Sequence, residues 1–275
     1  MSLTDMGRGA ESPTRACRIL LMAALPQEVR PFLRQMPARP RRDLGLPAWE
    51  VANGAVVAAL SGMGQAAVRW AGETLVAGLR PRLLVSIGFG GALTPELSPG
   101  DLVLGETFRH YNPDTGELTA GPTPAPPEPL PVYCRALEAA GFTAAPGSVV
   151  TTTRIIHKGR EGLPLAGLPR PVLDLETSIL AEVAAAFDCL FLSLRAITDT
   201  GEEEIPGFLQ AVGDRQASAG VGAALRWLAG DFRRARDLVR LWGRSRLAGR
   251  ALAGALTALW PLLLAAGRDL ENQPG

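Results

Sequence analysis

The sequence predicts an α/β protein, a three-layer α/β/α sandwich around a mixed, twisted sheet. Three observations carry that prediction. Short continuous apolar runs such as CRILLMAAL, RLLVSIGF and CLFLSLRAI suit strands covered on both faces. Stretches with helical spacing, such as QAAVRWAGETLVAGL and SILAEVAAAF, separate them and argue for helices on both sides of the sheet. The 275 residues are 47% hydrophobic and 20% charged, enough apolar material for one large α/β domain or two small ones.

Residues 1–16 are polar and lack an apolar segment, so a disordered tail is expected there rather than a secretory signal. CRILLMAAL follows as a buried strand, and PQEVRPFLRQM as a helix with Pro26 in its first turn, kinked or shortened at Pro31. AWEVANGAVVAALSG is read as a hairpin, because Asn53-Gly54 is a pair favoured in two-residue turns. In QAAVRWAGETLVAGL the apolar stripe is placed at Val68, Thr74-Leu75 and Leu79. RLLVSIGF is a strand ending in a Gly90-Gly91 loop, and DLVLGETF is the next strand. The prolines between Gly121 and Pro131 require an extended loop.

The alternation then repeats: a helix near Val132–Ala140, strand SVVTTTRII, strand PVLDLE, helix SILAEVAAAF and strand CLFLSLRAI. A long helix over about Phe208 to Leu228 closes the regular part. The domain is therefore expected over 17–229, followed by a basic then apolar helical extension over 230–275.

Charge and composition exclude several functions. With 28 basic and 27 acidic residues the net charge is +1, which rules out a whole-chain electrostatic grip on nucleic acid. Cys17, Cys134 and Cys189 are far apart, and the two histidines are His110 and His157. These argue against a disulfide scaffold, a structural zinc site and a Ser-His-Asp hydrolase, and no metal site is expected.

Acidic residues stand at the C-terminal ends of three expected strands: Glu28, Glu176 and Asp199. In open α/β sheets, ligands bind in the crevice beyond those ends. The strand ending in Gly-Phe-Gly-Gly adds a place where a ligand can approach the backbone. Each carboxylate alone reads as a helix N-terminal residue favoured by the dipole; all three together with the glycines read as a site. GFGG lacks both G-x-G-x-x-G and GKS/T, so neither a dinucleotide cofactor nor a P-loop nucleotide is supported.

The segments ILLMAALPQEV, SGMGQAAV, SIGFGGALTPELSPGDLVLGE, DLETSILAEVAAAF and FLSLRAITD run in order from Ile19 to Asp199. Through them the chain resembles the nucleoside phosphorylase/nucleosidase superfamily, most closely its methylthioadenosine/S-adenosylhomocysteine nucleosidase branch. The resemblance implies a nucleoside phosphorylase-like fold and cleavage of the N-glycosidic bond of a purine, adenine-type nucleoside. It implies that Glu28 activates the attacking water and that Asp199 protonates the departing purine at N7. Glu176 would grip the ribose 2′- and 3′-hydroxyls, with Leu175 beside it against the sugar. Met63, Ile155 and Ile156 would line the base and sugar pockets, and Gly90 and Gly91 would lie near the base and the water. Arg195 would neighbour Asp199 and orient it. No metal or organic cofactor is implied. The family's habit of forming dimers or larger rings implies a homo-oligomer.

The chemistry asks for the same residue types. A positioned acid that protonates the leaving base supplies about 10²–10⁴-fold. Hydrogen bonds from two ribose hydroxyls to an ionised carboxylate contribute roughly 1.5–3 kcal/mol each.

Some positions depart from the branch. Phe89 stands where the nucleosidases carry a small hydroxyl residue, Thr198 replaces a serine, and Leu25 and Leu175 replace methionines. An apolar residue at the Phe89 position is shared with lipid-linked, hopanoid-associated nucleoside phosphorylases. A phosphate-dependent phosphorylase acting on a nucleoside lipid is thus the alternative, with phosphate as co-substrate. Phosphate needs cations, and the candidates are Arg30, Arg109 and Arg154. Glu28 at the water position favours hydrolysis. A nucleoside-binding protein without turnover is a second alternative, and the acid Asp199 argues against it.

Residues 226–250 hold eight arginines against Asp231 and Asp237, net +6; the remaining chain has 20 basic against 25 acidic residues, net −5. The uncharged stretch ALAGALTALWPLLLAAG follows, interrupted by Pro261. Two readings apply: an interfacial helix making peripheral membrane contact through 230–265, or an extension packed on its own domain or on a second subunit, which is preferred. The expected location is cytoplasmic, with membrane association tied to the first reading.

Overall fold

The computed structural model describes residues 17–154, 156, 163–200 and 232–269, with the backbone alone over 232–242 and at 269. The central strand β1 (Ile19–Ala23) runs parallel to β4 (Val56–Leu60) on one side and β5 (Leu83–Ala92) on the other. Beyond β4 lie β3 (Ala48–Val51) and the short edge strand β2 (Arg39–Arg41), both antiparallel. On the other flank stand β6 (Leu102–Asn112), β8 (Ala144–Thr152), β9 (Val172–Asp174) and β10 (Leu190–Asp199). The hairpin strand β7 (Glu117–Ala120) extends β6.

The sheet is mixed, with order β10-β6-β8-β9-β5-β1-β4-β3-β2. Because β10 pairs with both β6 and β5, the strands β5, β10, β6, β8 and β9 close into a ring. Alternation along each strand then feeds two cores. Ile19, Leu21 and Ala23 of β1 point to one, Leu20 and Met22 to the other. Helices α2 (Gln65–Leu79) and α4 (Thr177–Ala186) cover the second face. Helices α1 (Pro26–Leu33), α3 (Leu130–Ala139) and α5 (Phe232–Asp269) cover the first.

The apolar part of α5 belongs to the core of the sandwich. Leu252, Leu256, Leu259 and Leu263 are buried against the sheet, and Trp260 meets Phe32 of α1 at 5.3 Å between ring centroids. By length and composition Gly243–Arg268 is apolar enough to cross a membrane, yet half of its apolar stretch is buried inside the fold. Pro261 does not interrupt the helix. It sits on the exposed face, as does Thr257, whose carbonyl has no Pro261 N–H to accept.

Three further local expectations are corrected. The β3–β4 loop spans four residues, since Val51 pairs with Val56. Ala52, Asn53 and Gly54 all take positive φ, and the Ala55 carbonyl accepts the Arg18 and Ile19 N–H groups, which draws Ala55 towards the start of β1. On α2 the buried stripe is Val68, Ala71, Gly72, Leu75 and Val76, and Thr74 is exposed. The Gly88–Gly91 stretch is strand, not loop, because β10 and β9 pair with it on either side. The helix expected over 208–228 lies outside the described residues.

Candidate active site

The site grows from the end of β1. Its last pairing with β5 is Met22 with Ser86, so β5 continues past it on that side. Pro26 fixes the first turn of α1, and Glu28 in that turn bends back under it. Its Oε2 accepts hydrogen bonds from the Ala24 and Leu25 N–H groups, at 2.9 and 2.8 Å. Its Oε1 accepts the Phe89 N–H at 3.0 Å, so one carboxylate caps the helix and closes the edge of β5. At 4% exposure it is deeper than a cap requires. Burial pushes its carboxyl above the ordinary value, opposed by the Leu25 and Phe89 N–H groups and the Arg195 charge.

Phe89 therefore contributes its backbone here, while its ring packs against the first core. Gly88 lies between Glu28 and Arg195. A Cβ there would stand 3.2 Å from Glu28 Oε1 and 3.3 Å from Arg195 Cζ, so the missing side chain lets carboxylate and guanidinium share the space. Gly90 is tighter still, since a Cβ would fall 2.3 Å from Val172 Cγ1 on β9.

Arg195 is almost fully buried, and its donors are fixed. Nε donates to Asp174 Oδ2 at 2.8 Å, Nη2 to Ser86 Oγ at 2.7 Å, and Nη1 to the Leu194 carbonyl at 3.0 Å. Asp174 also accepts from the Thr151 hydroxyl at 2.6 Å and from the Thr177 N–H and hydroxyl. Arg195 is thus oriented by Asp174, with Asp199 four residues further along β10.

Glu176, at the N-terminus of α4, is half-buried, and its Oε2 accepts the Leu175 N–H at 3.3 Å. Its carboxyl is pushed up to about 8, first by burial and then by the Asp174 and Glu28 charges, with Arg195 opposing. Glu28, Asp174, Glu176 and Arg195 therefore form one electrostatic cluster of three carboxyls and one guanidinium.

Asp199 ends β10, buried, in register with Gly91 of β5, which in turn pairs with Leu173 of β9. The Thr198 hydroxyl lies 2.6 Å from Asp199 Oδ1 and 3.3 Å from the Gly90 carbonyl, so the hydroxyl at that position holds the carboxyl against the glycine strand.

Of the other expected lining residues, Leu175 is half-buried beside Glu176, and Ile156 is buried with Tyr111, Val150 and Leu173. Met63 is 38% exposed in the turn before α2, and Ile155 lies outside the described residues. The three phosphate candidates are dispersed: Arg30 is exposed on α1, Arg109 lies within β6, and Arg154 pairs with Asp114 at 3.6 Å. Among the described residues, Arg195 is the cation that bears on Glu28 and Glu176. Sequence reasoning missed Asp174 and Ser86 as partners. The D-L-E run was the available signal for the first; nothing local marked the second.

Residues 18–226 match the family described as the phosphorylase superfamily. The 5′-methylthioadenosine/S-adenosylhomocysteine nucleosidase of Glaesserella parasuis is 25% identical over 205 residues, 68% of this chain and 87% of the relative. The protein of the same description from Baumannia cicadellinicola is 24% identical over 158 residues, 54% of this chain and 69% of the relative. Among solved structures, the futalosine hydrolase of Helicobacter pylori superposes with a TM-score of 0.64 at 13% identity, covering 90% of this chain and 98% of that one. A mutant Helicobacter pylori methylthioadenosine nucleosidase with 5′-methylthioadenosine in its active site gives 0.66 at 12% identity, covering 90% and 100%.

Proposed function

The chain belongs to the phosphorylase superfamily, and on that premise we propose that it hydrolyses the N-glycosidic bond of an adenine-type purine nucleoside. The observation that carries this reading is the Glu28 carboxylate, buried, held by three backbone N–H groups and facing Arg195 across Gly88. An ionised carboxylate has about four acceptor sites, so one stays open to a water. Burial raises its basicity above that of an ordinary carboxylate, the direction a general base needs.

Water attacks the anomeric carbon and gives its proton to Glu28 as the carbon–nitrogen bond breaks. The bonding pair leaves with the purine, and Asp199 donates a proton to N7. Solvent exchange returns the first proton and restores the second, so the balance is nucleoside plus water giving base plus free sugar. Glu176 hydrogen-bonds the ribose 2′- and 3′-hydroxyls, and Leu175 rests against the sugar. Arg195, clamped by Asp174, keeps the Glu28 carboxylate aimed while partly offsetting its charge. This scheme requires no metal or organic cofactor.

The relatives that act by hydrolysis, named for methylthioadenosine and S-adenosylhomocysteine, support the substrate class. Phosphorolysis of a nucleoside lipid is the lesser reading, because Arg30, Arg109 and Arg154 do not gather beside Glu28. Asp199→Asn tests the scheme: adenine release from methylthioadenosine should fall at least a hundredfold while calorimetric binding of the nucleoside persists. An active variant refutes the acid role, and binding without release in the wild type points to the non-catalytic alternative.

A further inference from the structure

The last helix packs against the segments that hold Glu28. Gly249 of α5 is buried, and a Cβ there would stand 2.8 Å from the Gln27 carbonyl oxygen, 3.7 Å from Pro31 Cγ and 3.8 Å from Phe89 Cζ. Gln27 directly precedes Glu28 in the first turn of α1. In an unbroken helix its carbonyl would accept the N–H four residues on, but Pro31 stands there and has none. The carbonyl lies instead against a residue with no side chain. Phe89 ties the same place to the sheet: its N–H donates to Glu28 Oε1, and its ring packs against the core that α5 covers. The three donors to Glu28 thus come from the entry to α1 and from β5, and α5 braces the first at Gln27 and the second at the Phe89 ring. A Cβ at 2.8 Å from a backbone oxygen has no flexible side chain to push aside, so α1 or α5 would have to move.

We propose that Gly249 is a positioning residue for the reaction: by letting α5 close on Gln27 and Phe89, it sets where the Glu28 carboxylate stands. The inference rests on Glu28 as the base that takes the proton from water. Gly249 lies beyond residues 18–226, so the brace comes from outside the part of the chain that matches the superfamily. Its effect on Glu28 has a direction. The Leu25, Phe89 and Ala24 N–H groups and the Arg195 charge on β10 oppose the upward push of burial on the carboxyl, and Glu176 of the α4 N-terminus bears on it as a second carboxyl. Moving the brace misaligns the N–H donors alone, so Glu28 should titrate higher and the rate should fall off at a higher pH on the acid side.

Gly249→Ala, Gly254→Ala and Gly243→Ala are compared in the full chain. Gly254 controls for crowding on the same helix, since a Cβ there meets the Phe142 ring at 2.5 Å; around Gly243 nothing among the described residues lies within 4 Å. Each variant is melted, assayed for adenine release from methylthioadenosine across pH, and titrated by carbon-13 NMR of glutamate carboxyls, the Glu28 signal being the one lost in Glu28→Gln. Gly249→Ala should lower kcat about tenfold to a hundredfold with KM changed less than about threefold. It should also raise the acid limb and the Glu28 midpoint by about one pH unit. Gly254→Ala should melt lower yet keep the wild-type kcat and midpoint, and Gly243→Ala should keep both. An unchanged kcat and midpoint in Gly249→Ala, or equal changes in Gly254→Ala, overturns the proposal. Should Gly249→Ala not fold, Phe89→Ala decides: it keeps the N–H, removes the ring that α5 braces, and must raise the Glu28 midpoint, an unchanged midpoint being the contrary result. The NMR titration needs no turnover, so a wild type that releases no adenine removes the nucleosidase reading and leaves the positioning of Glu28 to be judged by its midpoint.

Discussion

Arg195 Nε lies 2.8 Å from Asp174 Oδ2, and both side chains are only 1% exposed. The pair joins β10 to the end of β9 and fixes the guanidinium that faces Glu28. Removing one partner leaves an uncompensated buried charge. Asp174→Ala should therefore lower stability by about 3–5 kcal/mol, measured by urea unfolding, with a loss under 1 kcal/mol contradicting the role.

Glu176 makes stability depend on pH in a defined direction. Its carboxyl titrates near 4.5 when free and near 8 in the fold. The folded state thus favours the protonated form. The associated stability is fully present below 4.5 and is lost as pH rises towards 8. Glu176→Gln should melt higher than the wild type at pH 9 and at the same temperature at pH 4. A variant equally or less stable at pH 9 contradicts the electrostatic cluster.

The two strand glycines should fail differently. Gly90→Ala drives a Cβ to 2.3 Å from Val172 Cγ1, an overpacking that typically costs about 1–3 kcal/mol or more. Gly88→Ala meets the movable ends of Glu28 and Arg195 at 3.2–3.3 Å. It should displace the carboxylate and reduce kcat by about tenfold to a hundredfold with a smaller change in stability. Denaturation curves and steady-state kinetics on both variants distinguish strain from misplacement.

Helix α5 should be indispensable to the fold. Leu256 is 1% exposed in the first core, so Leu256→Ala is expected to cost about 2–5 kcal/mol. A loss near zero in urea unfolding would mean that the helix docks only loosely.

The sheet and its helices were legible because their signals are local. Continuous apolar runs marked β1, β5 and β10, and helical spacing marked α2 over Gln65–Leu79. Strands β2 and β7 escaped notice, being three and four residues long and mostly exposed. The Gly88–Gly91 stretch looked like a loop because its strand character depends on β9 and β10, distant in sequence. Glu28, Glu176 and Asp199 could be picked out by their place at strand ends. The partner of Arg195 could not, since Asp174 is 21 residues away and is reached only when β9 and β10 fold onto the closed ring. The arginine-rich stretch was visible in composition, but the packing of α5 on α1, with Gly249 against Gln27, was not.

Hydrolysis through Glu28 is tested most directly by following adenine and sugar products from methylthioadenosine in phosphate-free buffer and again with added phosphate. The account predicts equal rates of adenine release in both and free methylthioribose as the sugar product. Strict dependence on phosphate, with a sugar 1-phosphate as product, would contradict it.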